Sequence, residues 1–307
     1  GHKVALAVVI DTWGSAPRTI GGLMVIRDDG LFEGSVSGGC VEGEVIFEAE
    51  NTIKSGLIKR LDYSVSNEMA WEAGLACGGN IRILISALSE ASLPQVNQIS
   101  QNIKSQKTTA LKIELETGNL TTLSDASIAD LPSKISFLIE NQKENTFYVI
   151  FPAPVHLFII GAVHISQPLI LLAQILNYKV TLIDPRGLFA QKERFWDVEL
   201  IEDWPDNYLK TKNLTDRSAV VTLTHDPKID DVALRIALNS KAFYIGSLGS
   251  KKTHKSRVER LKAKGFEEEK VNKIYGPIDL NIGSKTPAEI ALSIIAEIEA
   301  CRTGKAQ

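Results

Sequence analysis

Two turns in the first half of the chain set a thiol among glycines, Ser37-Gly38-Gly39-Cys40-Val41-Glu42 and Gly74-Leu75-Ala76-Cys77-Gly78-Gly79. Glycine lets other backbone or a ligand approach such a thiol closely, and a thiolate serves as a nucleophile or as a soft metal ligand. The first turn opens a helix expected to run through Val45, Ile46, Phe47, Ala49 and Ile53 to about Lys54 and to stop at Gly56. Gly38 and Gly39 before a helix N-terminus form a backbone able to offer several N–H groups to an anion. The same field lowers the pKa of a cysteine in the first turn, so Cys40, with Glu42 beside it, is expected to carry thiolate character. The plainer reading of a lone cysteine is a small buried residue behind a turn, and both readings stand. Cys40 and Cys77 lack the short paired spacing of a zinc site, so a site built from protein ligands alone is not expected.

A second group of residues belongs to a different pattern. Val155–Arg186 reads as strand, tight turn, helix, strand and acid, which is the opening unit of a nucleotide-binding doubly wound sheet. Gly161 fills the first glycine position of the dinucleotide fingerprint, but Val163 stands at the second and Ser166 at the third. A valine at the second position narrows the seat of a pyrophosphate, so NAD(P) binding is an alternative and not the leading expectation. Asp184 lies 23 residues after Gly161, the spacing of an acid that holds a ribose hydroxyl, and is expected to face a ligand in preference to capping its own loop.

The elements that must position these residues alternate strand with helix through the second half, the mark of a parallel sheet wound on both faces. Strands are expected at Glu199–Glu202, Ser218–Thr224 and Ala242–Ile245, and helices at Phe189–Trp196 and Ile229–Leu238. Because ligands sit at the carboxyl ends of such strands, the topology collects His164, Asp184, Arg186, Thr224, His225, Asp226 and the turn Gly246-Ser247-Leu248-Gly249-Ser250 on one edge. That turn is followed by Lys251, Lys252, His254, Lys255 and Arg257 and suits an anion such as phosphate, with contact expected from the first two or three of these and the distal part read as a solvated face. His164 and His225 each also read as structural histidines. Thr286-Pro287-Ala288-Glu289 is a capping box with proline at the first helical position, opening a helix to about Cys301.

The first half is a mixed α+β region. Val4–Ile10 reads as a buried strand that delivers the loop Asp11–Arg18, with Arg18 as its fixed cation. A hairpin follows, its turn at Asp28-Asp29-Gly30. Phe151-Pro152-Ala153-Pro154 marks the boundary, giving domains 1–152 and 153–307. The fold class is therefore α/β, a C-terminal Rossmann-like sheet preceded by an α+β domain.

A net charge of −3 removes any global argument for nucleic acid or an anionic membrane. Three cysteines are too few for a disulfide scaffold and indicate a reducing compartment, the cytoplasm. Leu157–Leu176 is the most apolar stretch, but His164, Ser166, Gln167, Pro168 and Gln174 interrupt it, so it reads as strand and helix and not as a membrane span. Gly1-His2-Lys3 runs straight into a strand with no signal-peptide pattern.

In order along nearly the whole chain, the segments Gly14–Arg18, Ser35–Glu42, Gly74–Gly79, Gly161–His164, Asp184–Arg186, Thr224–Asp226, Tyr244–Ser250 and Gly276–Ala291 resemble the xanthine dehydrogenase accessory factor, or XdhC/CoxI, family. The resemblance implies a chaperone that binds molybdenum cofactor (molybdopterin), protects it during sulfuration and passes it to a xanthine dehydrogenase-type molybdoenzyme. A cysteine desulfurase is the second implied partner, and a homodimer is kept open. On this reading Arg18, Gly38, Gly39, Cys40, Glu42, Cys77 and Gly78 contact the cofactor in the first domain, with Cys40 and Cys77 facing the cleft between domains near the metal. Gly161, His164, Asp184, Arg186, His225, Asp226, Gly246, Gly249 and Ser250 hold its phosphate in the second. No catalytic residue is assigned. A nicotinamide-dependent oxidoreductase and a cysteine-based transferase acting through Cys40 are the rival classes.

Overall fold

The computed structural model describes residues 1–14, 18–39, 41–65, 79–105, 107–123, 125–133, 135–141, 144–195 and 197–305. Cys40, Cys77 and Gly78 therefore lie outside the described residues. The chain divides into two compact units, Gly1–Ala153 and Pro154–Gln307.

The first unit begins with β1 (Val4–Gly14), β2 (Leu23–Arg27), β3 (Phe32–Gly34), α1 (Glu42–Ser55), β4 (Lys59–Val65) and β5 (Gly79–Leu88). These strands form an antiparallel sheet in the order β3-β2-β1-β5-β4. It continues with α2 (Leu93–Lys104), β6 (Thr109–Glu114), β7 (Leu120–Thr122), α3 (Asp125–Ala129), β8 (Phe137–Glu140) and β9 (Asn145–Phe151). A second antiparallel sheet runs β7-β6-β9-β8. β1 is apolar on both faces because both are covered. Ala5, Ala7 and Val9 pack under Val45 and Ala49 of α1, while Leu6, Val8 and Ile10 meet Ile113, Phe147 and Val149 of the second sheet. The segment Asp11–Gly14, expected in a loop, instead prolongs β1 past a bulge and pairs with Gly79–Arg82. α1 ends as its sequence indicates, Gly56 taking the left-handed conformation at φ 71° and donating to the Thr52 carbonyl.

The second unit contains β10 (His156–Ile160), α4 (Ser166–Ile175), β11 (Lys179–Ile183), β12 (Glu199–Ile201), α5 (Pro205–Leu209), β13 (Ser218–Thr222), α6 (Pro227–Leu238), β14 (Tyr244–Ser247), α7 (Lys251–Ala263), α8 (Glu268–Val271), β15 (Ile274–Tyr275) and α9 (Pro287–Arg302). All its strand pairs are parallel, in the order β12-β11-β10-β13-β14-β15. This is the Rossmann order, and the direction of winding reverses between β10 and β13. Leu157, Ile159 and Val221 pack against Leu169 and Ala173 of α4 and Ile294 and Ile298 of α9, whereas Phe158, Ile160 and Val220 face Ala233, Leu234 and Ala237 of α6. The fold is thus α/β, with a Rossmann-like sheet following a mixed antiparallel unit.

Among the described residues one expected helix does not form. Within Phe189–Trp196 only Lys192–Arg194 makes a single 3-10 turn, and Trp196 lies outside the described residues. Ala190 and Phe195, the two residues of this segment buried in the core, are five apart, which does not match the three- and four-residue spacing of one helical face. The capping box at α9 forms in full: the Thr286 side chain accepts from the Glu289 N–H, and the Glu289 side chain accepts from the Thr286 N–H.

Candidate functional site

The turn before α1 is an anion cradle that already holds an anion. The Glu42 side chain, in the first turn of the helix, bends back over the preceding residues. Its Oε1 accepts from Ser35 Oγ at 2.8 Å, Ser37 N at 2.9 Å, Gly38 N at 3.0 Å and Val36 N at 3.3 Å. Its Oε2 accepts from Gly39 N at 2.8 Å and from Ser37 Oγ. Gly38 and Gly39 reach this geometry with φ of 80° and 115°, a region where a side chain is strained. Burial opposes ionisation of Glu42, but the Ser37 and Ser35 donors outweigh it and hold the carboxyl at a pKa of about 2. The expectation that these amides await a ligand is corrected: the carboxylate of Glu42 fills them from within. On their other side the two glycines are open, since a Cβ added to either would meet no described atom within 4 Å.

The turn after β10 shows the same device. Gly161, at φ 115°, needs its missing side chain, because a Cβ would lie 2.7 Å from the Thr224 methyl. Asp184 at the end of β11 is fully buried. Its carboxylate accepts from Ala162 N at 2.7 Å, Arg186 N at 2.9 Å, Arg186 Nε at 2.9 Å and Arg186 Nη2 at 2.7 Å. Burial works against the charge, but the Arg186 fork and the Ala162 N–H prevail and keep the pKa below the ordinary carboxylate value. Asp184 therefore does not face a ribose. It ties the β10 turn to the β11 turn, and Arg186 lies over the Phe189 ring at 4.3 Å. Val163 is partly buried against the core beneath α4 and α9.

At the carboxyl end of β13 the backbone is strained. His225 is exposed and takes φ 62°, uncommon for any residue but glycine and enriched where function constrains a chain. Asp226 caps α6 by accepting from Lys228 N at 2.9 Å. Thr224 Oγ1 donates to Asp230 at 2.6 Å and accepts from Asp226 N at 3.0 Å. Asp230 is buried, and its burial raises its pKa although Thr224 and Arg257 favour the charge. Arg257, on α7, is only 1% exposed. Its Nη2 donates to the Leu248 carbonyl at 2.8 Å, while Nε and Nη1 have no partner among the described residues. Burial lowers its pKa against the pull of Asp230 and Asp231.

Asp230 and Arg257 are the residues whose burial sequence reasoning missed, the first read as a favourable charge at a helix start and the second as part of a solvated basic run. Each sits on a helix at a position indistinguishable from a solvated charge, and only the buried face reveals it. Gly246 also needs correction as a ligand contact. It is buried in β14, where a Cβ would strike Ile278 at 2.5 Å and Tyr244 at 2.8 Å, so its smallness serves packing. Gly249, at φ 147°, and Ser250, which caps α7 by accepting from Thr253 N, occupy the turn above Arg257.

Gly161, Asp184, Arg186, His225, Asp226, Gly249 and Ser250 thus share the carboxyl edge of the parallel sheet, with His164 exposed just after the β10 turn. Gly38, Gly39, Glu42 and an exposed Arg18 belong to the other unit. A cavity of about 880 Å³ opens at the opposite edge of the second unit's sheet, lined in part by Lys210, Asp216, Arg235 and Lys241, and contains none of these residues. Among the described residues, no helix is long and apolar enough to cross a membrane.

Comparison with known proteins follows the same division of the chain. The XdhC and CoxI family model matches residues 1–64, and the XdhC Rossmann domain model matches residues 157–298. A molybdenum cofactor insertion chaperone, PaoD of Escherichia coli (strain K12), is 28% identical over 98% of this chain and 84% of its own length. A protein of Bacillus subtilis (strain 168) described as a probable xanthine dehydrogenase subunit is 27% identical over 97% of this chain and 92% of its own. A crystal structure described as a xanthine dehydrogenase from Bacillus halodurans has the same fold, with a TM-score of 0.81 and 24% identity over 99% of this chain and 93% of that one. With the turns, the sheet order and both family models in agreement, the chain belongs to the XdhC and CoxI family.

Proposed function

We propose that the protein is a molybdenum cofactor chaperone that receives the cofactor, holds it and hands it to a xanthine dehydrogenase-type enzyme. The observation that carries this reading is the Ser35–Gly39 turn: its N–H groups are held from one side while, among the described residues, Gly38 and Gly39 leave the other side open, directly before Cys40 in the chain. A flat, polar cargo can lie against such backbone, and a thiol next to it suits a soft metal or sulfur exchange. Similarity to a relative named as a molybdenum cofactor insertion chaperone supports the same assignment.

In the second unit, Gly249, Ser250 and the N-terminus of α7 form the anion-binding turn for the cofactor's phosphate, with Lys251 and Lys252 exposed at the helix start and Arg257 beneath. Sulfuration while bound, a cysteine desulfurase as sulfur donor, a cytoplasmic setting and a homodimer complete the proposal. The rival NAD(P) reading loses its ribose acceptor, because Asp184 is buried and spent on Ala162 and Arg186. Native mass spectrometry with molybdenum cofactor, NADH and NADPH tests the choice. One cofactor per chain, transferable to an apo molybdoenzyme, is the expected result; stoichiometric nucleotide binding without cofactor binding overturns it.

A further inference from the structure

Resting on the assignment of Gly249, Ser250 and the start of α7 as the phosphate site, we propose that this seat takes a phosphate monoester, a terminal phosphoryl group, in preference to the phosphate of a diester or dinucleotide. Every helix start offers a partial positive charge; this one has a full charge folded beneath it. Arg257 is 1% exposed, and its Nη2 donates to the Leu248 carbonyl at 2.8 Å and lies 3.7 Å from the place that a Cβ on Gly249 would take. Nε and Nη1 have no partner among the described residues.

The bond to Leu248 also sets the direction of the backbone. In a trans peptide the C=O and N–H point opposite ways, so drawing the Leu248 carbonyl toward Arg257 turns the Gly249 N–H outward. Among the described residues, the N–H groups of Gly249, Ser250, Lys251 and Lys252 bind no acceptor, and the Ser250 hydroxyl takes up only the next one, from Thr253. No acid stands in the first turn of α7, where Lys251 and Lys252 are exposed. Consecutive outward amides over a buried cation make a concave seat for an anion.

The neighbouring acids leave that charge uncompensated. Asp231 is bound to Arg260 at 2.6 and 2.9 Å, Asp226 caps α6, and burial raises the pKa of Asp230. A monoester brings about two negative charges and three acceptor oxygens at neutral pH, and a diester has less of both. Near a buried guanidinium the additional charge counts for more than it would in water. A dinucleotide would further need room for a pyrophosphate, and the β10 turn on the same edge is closed to it. There the Ala162 N–H is bound by Asp184 at 2.7 Å, and Val163 stands where glycine would let the pyrophosphate approach.

The test titrates the full chain by calorimetry with phenyl phosphate, with its monomethyl ester and with NADH. Phenyl phosphate is expected to bind at least about tenfold more tightly than either of the others. Arg257→Met, its folding checked by circular dichroism, is expected to lose that preference while its weak binding of the methyl ester stays as it was. The double variant Lys251→Ala/Lys252→Ala, altered only at exposed positions, serves where Arg257→Met does not fold and is expected to weaken the preference in the same direction. Absence of saturable phenyl phosphate binding, equal affinity for phenyl phosphate and its methyl ester, or a preference unchanged in a folded variant overturns the proposal. Transfer of molybdenum cofactor to an apo molybdoenzyme, measured on the same samples, keeps the two readings apart. Transfer without any monoester preference sinks this proposal alone, whereas a monoester preference without transfer upholds it and removes the chaperone reading.

Discussion

Two turns in different units solve one problem in the same way, and a third solves it differently. The Ser35–Gly39 turn and the Gly161–Ala162 turn both look like cradles for an external anion, yet each is filled by a carboxylate of the chain itself, Glu42 in one and Asp184 in the other. Among the described residues, no carboxylate accepts from the Gly249–Ser250 turn in this way. Beneath it lies a buried cation, Arg257, with two nitrogens, Nε and Nη1, unspent among the described residues. A glycine-rich turn is therefore a structural joint when an acid of its own closes it and a candidate ligand seat when a cation is left waiting.

The filled turns should respond most strongly to substitution. Glu42→Ala strips a partly buried cradle of its acceptor and is expected to cost about 3 kcal/mol in urea unfolding, because several N–H groups lose their partner together. Asp184→Ala, which frees the Ala162 N–H and the Arg186 fork, is expected to cost about 2 kcal/mol, less because Arg186 is partly exposed and finds water. A loss below about half a kilocalorie in either variant would show that the turn does not need its acid.

Backbone substitution probes the same turns from the other side. Gly161→Ala must place a methyl 2.7 Å from the Thr224 side chain at φ 115°, and a loss of about 1–3 kcal/mol is expected. Stability against pH gives an independent reading of Glu42. Its folded pKa of about 2 lies below its unfolded value near 4.5, so its contribution is complete above that value and disappears as pH falls toward 2. The difference in stability between wild type and Glu42→Gln should shrink across that window and stay level above it.

The smallest effect is expected at the unfilled turn. Arg257→Met replaces an incompletely bonded buried cation with an apolar chain, so stability should change by less than about 1 kcal/mol and in either direction. The thermal shift that inorganic phosphate gives the wild type should be lost. A strongly destabilised Arg257→Met that still responds to phosphate would make Arg257 a structural strut and remove the contrast between the turns.

Much of this was legible beforehand because it rests on local physics. The stop at Gly56, the capping box at Thr286 and the alternation of strand and helix in the second half depend on residues a few positions apart. The segment Phe189–Trp196 misled because its apolar residues are anchored singly and not along one helical face. Asp184 misled because spacing places a carboxylate at the strand end without saying what else reaches it, and Arg186, two residues on, reaches it first.

The class of architecture, the order of its parts and the family were all written in the linear chain: hydrophobic period, glycine, proline and cap residues act over short range, and their order survives in any fold they build. Which polar groups are already spent was settled by the folded arrangement alone. Whether the amides of Gly38 and Gly39 are open or held, whether Asp184 faces solvent or a turn, and whether Arg257 is a surface charge or a buried one depend on burial and on hydrogen-bond partners, some of them distant in the chain. A polar group has a limited number of bonds to give, and the fold assigns them first.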